Sequence, residues 1–524
     1  MDPAVIATLV PSDAELESSH AVIGEVLLDN QNIFDLDDSR EDVWPFRLAN
    51  RLHVTTRPYV IRQQLLFRSG DVYSRRLLEE SERILRLTRY LYDAAIRPVR
   101  YHDGKVDVLI TTRDVWTFDP GVSFGRHGGS NSTGGQLEEL NVAGTGIALA
   151  ASHSTDIDRT STLYSVEDRH LLGTWTGVRA SYADNSDGNA GEIAIDHPFY
   201  ALDVHRAWGT DALTDNRIDS LYDRGAIIDQ FRERHRFAES YVGWSPGLAG
   251  GWVPRFSAGF TLDEREFEPT PVWNGPVLLP SASKLAYPWL QFDLVQDEFL
   301  KLWNHDQIER TEDFYIGTQM RGRIGWSHPA FGADRRALMF LAAASRGVGV
   351  GGAGTLLLSS TLTGRLESGT ARNTLLDSGM RYYIEESQRW LFFTTLQATL
   401  GHNLDLQNQI LLGGDSGLRG YPLRFQSGTA RALATVEQRY FTDWYPFRLF
   451  RLGGAMFLDA GRTWGPAPLA APNLGLLRDV GLGLRFGNSR SGLGNITHVD
   501  IAVPLDRIAG IRAVQLIVET QQRF

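Results

Sequence analysis

Apolar and polar positions alternate one by one along most of this chain, from about Trp116 to its end. In Arg431–Phe441, Ala432, Ala434, Val436 and Tyr440 share one face, and Arg431, Thr435, Glu437 and Arg439 the other. In Arg451–Gly461, Leu452, Met456 and Leu458 oppose Arg451, Phe457 and Asp459. In Val480–Phe486, Val480, Leu482, Leu484 and Phe486 oppose Gly481, Gly483 and Arg485. A strand turns its side chains to opposite faces at successive residues, so this period predicts strands with one apolar and one mixed face. Gly, Asn, Asp and Pro separate the runs. Such a series fits a barrel whose apolar faces meet lipid and whose mixed faces line a lumen. The competing reading, a soluble propeller or a pair of sandwiches, lacks a blade-like repeat. Aromatics close several runs, at Tyr382, Tyr383, Trp390, Trp444 and Tyr445. Membrane barrels place such rings at their interfaces.

The N-terminal part keeps a different rhythm. Val22, Ile23, Val26, Leu27 and Leu28 predict a strand. Asp35–Arg47 is polar and reads as a loop insertion. Pro58–Leu66 fits a short helix with proline near its start. Ser74 is an N-cap for a second helix, whose stripe is Leu77, Leu78, Ile84 and Leu85. Leu91–Ile96 and Val106–Ile110 then read as strands joined by the turn His102-Asp103-Gly104-Lys105. Three units follow: a flexible lead-in over 1–19, a compact α/β domain over 20–117, and a barrel over 118–524.

Composition sharpens this picture in two places. There is no cysteine, which excludes disulfides, thiolate zinc sites and thiol nucleophiles. A net charge of −11 without a basic, aromatic-rich block argues against nucleic acid. No run is long and apolar enough for a membrane helix, and a mean hydropathy of −0.22 is neutral for a barrel, where only every second residue meets lipid. Met1–Glu17 does not read as a signal peptide, so an export signal or a larger segment is expected upstream. At the other end, Val514, Leu516, Val518 and Thr520 alternate with Ala513, Gln515, Ile517 and Glu519, and the chain ends on Phe524.

The most specific segment is Gly413-Gly414-Asp415-Ser416-Gly417-Leu418-Arg419-Gly420-Tyr421. With the runs after it, it resembles the Omp85 superfamily of outer-membrane assembly and translocation barrels. Leu418-Arg419-Gly420-Tyr421 resembles the Arg-Gly-aromatic tip of that family's sixth extracellular loop, which folds back into the lumen. Glu437 and Asp459 resemble the acidic positions on the next two strands. The resemblance implies that Arg419 pairs with them inside the barrel. Residues 20–117 resemble one POTRA domain, with Thr56, Ile61-Arg62, Gly70-Asp71 and Tyr73 at matching places. Phe524 resembles the C-terminal signal read by barrel-assembly machinery, although Gln522 departs from the apolar residue usual nearby. The fold expected is therefore an all-β transmembrane barrel of 16 antiparallel strands behind a POTRA-like domain. Independently of any family, Glu437 and Asp459 fall on mixed faces, and an arginine's planar fork placed between two carboxylates can donate to both.

Other segments carry weaker chemical signals. Gly414-Asp415-Ser416-Gly417 superficially resembles a serine-protease nucleophile, but His402 nearby has no orienting acid. No Gly-x-Ser-x-Gly elbow occurs. The histidines are dispersed, without metal-ligand spacing. Asp184 and Asp187, or Asp211 and Asp215, offer carboxylates for calcium but read as generic acidic loops, and Gly349–Gly354 lacks a phosphate-loop lysine. No catalytic, metal or cofactor site is expected.

The leading expectation is a non-enzymatic factor for outer-membrane protein assembly or polypeptide translocation. It would sit in a bacterial outer membrane with the N-terminal domain in the periplasm. Its partners would be outer-membrane lipids and an unfolded or β-rich client, taken at a strand edge of the POTRA-like domain. The alternatives are a pore, a single-partner secretion barrel, and a dimeric membrane scaffold for an associated domain. A homo-oligomer stays open.

Overall fold

The computed structural model describes residues 10–521, apart from 274, 276, 277, 309, 466–473, 489, 492–495 and 507. Phe524 and Gln522 lie outside the described residues.

The chain starts with helix α1 (Asp13–Ser18), inside the segment expected to be a flexible lead-in. Ser12 and Glu15 cap it reciprocally. Leu16 on this helix is fully buried in the N-terminal core, which stabilises the packed state by about 2 kcal/mol. Strand β1 (Val22–Gln31), helices α2 (Trp44–Leu52), α3 (Pro58–Arg62) and α4 (Arg75–Arg86), and strands β2 (Leu91–His102) and β3 (Lys105–Asp114) follow. Part of the segment expected to be a loop is thus helix α2. Strand β3 lies between the other two, parallel to β1 and antiparallel to β2. Asp103 and Gly104 both take positive φ, as the two-residue turn between β2 and β3 requires. Leu78 and Leu85 of α4 pack on Ile23, Ile96, Val106, Val108 and Ile110.

From Phe118 onward the chain forms a closed antiparallel barrel of 20 strands, from Phe118–His127 to Gln515–Gln521. This corrects the expected 16. The number 16 comes from the family resemblance and not from counted alternation, which the first part of the barrel hardly shows. Residues 118–197 fold into strands of 8 to 10 residues with mostly polar side chains, joined by turns as short as Gly128-Gly129 and Ser186-Asp187. A short polar strand in a tight hairpin resembles a loop in sequence, because its backbone ladder and not its side chains defines it.

Burial is inverted relative to a water-soluble barrel. In the strand Leu477–Asn488, Val480, Leu482 and Leu484 are 37%, 63% and 52% exposed, while Asp479 and Arg485 are fully buried. Exposed leucine beside buried arginine is the pattern of a barrel set in lipid, with every interior strand hydrogen-bonded on both sides. No described helix is long and apolar enough to cross a membrane.

Closure is uneven. The strands Ala430–Phe441 and Phe450–Trp464 pair in register from Ala430↔Trp464 to Phe441↔Gly453. The last and first strands share a single described pair, Val518↔Arg126.

Candidate functional site in the barrel lumen

The strands Trp390–His402 and Ala430–Phe441 are neighbours in the barrel, yet 27 residues, 403–429, connect them. This connection carries a small two-stranded ladder, Ile410–Leu412 with Gln426–Gly428. Its tip packs inside the barrel. Leu412, Leu418 and Tyr421 are fully buried and form a cluster with Phe425, Leu433 and Leu477. Gly417 reverses the chain at φ 107°, a conformation glycine adopts without strain. A Cβ on Gly420 would stand 2.6 Å from Asp479 Cβ and 3.1 Å from the Pro504 nitrogen, so only glycine fits against the wall.

That approach sets Arg419 among acids. Its Nε and Nη2 donate to the two oxygens of Asp459 at 2.8 and 3.0 Å. Its Nη1 donates to Glu437 and to Asp500, both at 3.3 Å. The guanidinium also lies over the Phe457 ring, 3.2 Å from its centre. Further charges tie the acids together. Arg439 donates to Glu437 at 2.8 Å, Arg485 pairs with Asp500, and the Thr435 hydroxyl donates to Asp459 at 2.7 Å. Tyr421 donates its hydroxyl to the Arg478 carbonyl (2.9 Å) and Asp506 (3.0 Å). The structure therefore gathers Arg419, Gly420, Tyr421, Glu437 and Asp459 in one place.

Sequence reasoning missed Asp500 and the part played by Arg439 and Arg485. The signal for Asp500 was available. In His498-Val499-Asp500-Ile501-Ala502 it lies on the face opposite Val499 and Ile501, as Glu437 and Asp459 do on theirs.

Past the tip, the connection reaches the opposite wall. Arg424 donates to both oxygens of Asp158 at 2.7 and 2.5 Å and lies over Tyr222, and its carbonyl accepts the Gly225 amide. Gln409 exchanges two hydrogen bonds with the Tyr222 backbone. The loop is thus a strap across the barrel, held at both ends.

A second segment enters from the end that holds the N-terminal region. Between the barrel strands Ser283–Gln296 and Gln319–Ser327, the chain makes a separate hairpin of Phe299–Trp303 with Thr311–Tyr315. Its outer side binds the N-terminal region. Arg86 of α4 holds Asp313 bidentately at 2.7 and 2.8 Å, Lys301 reaches Glu82 at 2.6 Å, and Arg83 lies over Phe299. Its tip enters the barrel. Asp306 accepts hydrogen bonds from Tyr383 (2.8 Å) and Arg381 (3.1 Å), and the His305 carbonyl accepts one from Arg439 at 2.8 Å. Arg439 also donates to Glu437, which touches Arg419. A continuous polar path therefore joins α4 to the strap. Sequence gave no sign of this hairpin, which is five residues a side.

Between strap and hairpin the lumen keeps modest cavities. One of 510 Å³ is lined by Thr361, Asp377, Arg381, Thr399 and Arg431. Among the described residues, no cluster of His, Asp and Glu has the geometry of a metal site.

No family model and no curated protein matches the chain. Among solved structures it is similar to BamA from Haemophilus ducreyi lacking POTRA domains 1-3, at 13% identity over 95% of this chain and 85% of that one, with a TM-score of 0.40. It is similar to CdiB from Escherichia coli at 13% identity, over 95% and 76% of the two chains, with a TM-score of 0.46. CdiB from Acinetobacter baumannii shares 11% identity over 96% and 73%, with a TM-score of 0.41. Likeness at this level says nothing of activity, which has to be argued from this chain's own residues.

Proposed function

We propose that the protein is a non-enzymatic, self-closed conduit of the bacterial outer membrane that passes a polypeptide when its strap is released. The observation that carries this reading is the filling of the lumen. The wide barrel is filled by its own loop and hairpin, which small apolar clusters seat and a network of buried ion pairs and hydrogen bonds fastens to the wall. A purely structural filling would favour apolar packing, because buried ion pairs add little net stability over apolar groups of the same shape. Polar contacts can be exchanged for those of water or of a passing chain, so they suit a closure that must open. β1 and β2 are the edge strands of the N-terminal sheet, where an extended client would add a strand beyond the stretches that Gly70–Val72, Glu82, Arg86 and Arg310 already occupy, and the sheet's side of the membrane would be the periplasm.

Conductance across a planar bilayer tests this. The intact chain is expected to be quiet with rare openings, and deletion of 404–428 to give large steady currents. Large steady currents from the intact chain would identify an ordinary pore. Silence after deletion would remove the conduit.

A second reading, insertion of client strands into the membrane through the barrel wall, has its own support in the single described pair Val518↔Arg126 between the last and first strands. A cysteine pair locking that seam would abolish insertion and leave passage through the lumen intact.

A further inference from the structure

We propose that helix α2 is an interfacial anchor, lying in the phospholipid leaflet beside the barrel rim on the side that holds the N-terminal region. This goes beyond the conduit reading and does not depend on what passes through the lumen.

The helix buries none of its residues. Trp44, Leu48 and Leu52 recur at four-residue spacing and so form one stripe. They are 72%, 39% and 65% exposed, and Val43 and Val54 at the helix ends are open too. The opposite face is fastened to the domain. Phe46 stacks on Phe34 with ring centres 3.9 Å apart, and Asn50 exchanges two hydrogen bonds with the Phe34 backbone. The apolar stripe is therefore the outer face by construction and not a frayed element. Arg47 and Arg51 flank it, and both are exposed. Arg47 pairs with Asp42 at 2.5 Å, while Arg51 has no ion-pair partner among the described residues. Apolar stripe, tryptophan and flanking arginines are the composition of a helix that lies in a membrane interface, its arginines reaching phosphate.

Position selects lipid as the occupant. The segment just before the helix is bolted to the barrel rim. Glu41 pairs with Arg490 and, at 3.3 Å, with Arg448, which also reaches Asp38 at 3.3 Å. Arg490 donates to the Ile33 carbonyl at 2.7 Å. The turn that supplies Arg448 also presents Trp444 and Phe447, which are 65% and 81% exposed, and it leads into Phe450 on the lipid-facing side of its strand. Aromatics at that level are the interface girdle of a membrane barrel. The stripe of α2 thus continues a surface already in contact with lipid, and the ion pairs hold it there.

The experiment uses the full chain in phosphatidylethanolamine–phosphatidylglycerol vesicles. The protein has no cysteine, so Leu48→Cys can carry one environment-sensitive fluorophore, with Arg68→Cys as the control elsewhere on the N-terminal region. Brominated lipid should quench position 48 severalfold more than position 68, with a blue-shifted emission at 48. Adding W44S and L52S to the labelled chain should remove most of that difference. Both residues are exposed, and retained heat-modifiable migration would show that the barrel is intact. Equal quenching at the two positions, or a water-like spectrum at 48, would overturn the proposal. Protection of 48 that follows protein concentration and not lipid would also overturn it, and would assign the face to a second copy.

Discussion

Replacing Arg419 with alanine removes one side chain from three acids, and the structure shows how unequally they would suffer. Glu437 keeps Arg439 at 2.8 Å, and Asp500 keeps Arg485. Asp459 is fully buried, loses both guanidinium bonds and keeps the Thr435 hydroxyl. The cost is therefore close to that of stranding one buried carboxylate. Breaking a buried pair costs roughly 3–5 kcal/mol, and the low end applies because Asp459 keeps the Thr435 hydroxyl. About 3 kcal/mol corresponds to roughly a hundredfold rise in the undocked population of the strap. The assay is maleimide labelling of Ser416→Cys from outside, which is clean in a chain without cysteines. Labelling should accelerate by about that factor if docking limits access. Arg419→Lys should recover only part, since an ammonium cannot reproduce the two-pronged contact with Asp459. Asp459→Ala should be strongly non-additive with Arg419→Ala. An unchanged labelling rate, or strict additivity, would refute the lock. The barrel itself should survive every variant, because its ladder does not rest on one side chain.

Three further outcomes are expected. Gly420→Ala places a methyl against Asp479 and should undock the strap by about 1–3 kcal/mol, read by the same labelling assay. Asp313→Ala strips Arg86 of its bidentate partner; spin labels on α4 and on the hairpin should then show a broadened distance distribution, whereas an unchanged one would mean that the contact does not hold the hairpin. Burial pushes the Glu312 carboxyl up to about 7, against the opposing pull of the His305 and Asp306 amides that it accepts. The docked hairpin thus favours the neutral acid. Its contribution is full below the ordinary glutamate value of 4.5 and is lost as pH rises through about 7. Hydrogen exchange in 299–315, corrected for intrinsic rates, should show less protection at high pH, and Glu312→Gln should abolish that dependence.

Legibility in the sequence followed the physics of each element. Long strands with one lipid face, such as Leu477–Asn488, announced themselves, because every second side chain must be apolar. Strands of 8 to 10 residues between 118 and 197 did not, since polar side chains in tight hairpins carry little periodicity, so the strand number rests on the resemblance and only the closed barrel corrects it. Asp13–Ser18 was hidden by its length, and only Leu16 and the Ser12–Glu15 cap distinguish it from a tail. Trp44–Leu52 was masked by the acidic run before it, and its stripe faces outward, so burial offered no clue. The residues of the strap tip could be read because glycine, arginine and tyrosine are adjacent there. The acids they meet are distant in sequence, and Asp500, on the next strand but one after Asp459, emerges only from the closed barrel. The hairpin at 299–315 rests on contacts with two separate parts of the molecule, which no local pattern encodes.

The most direct test of the central claim is photo-crosslinking inside the lumen in living cells. A crosslinker at Thr361, which lines the free cavity between strap and hairpin, should trap a polypeptide in transit. The yield should rise in the Arg419→Ala background, and a crosslinker at lipid-facing Leu482 should trap none. No polypeptide adduct at Thr361 in either background, or equal adducts at the two positions, would contradict a conduit gated by its own loop.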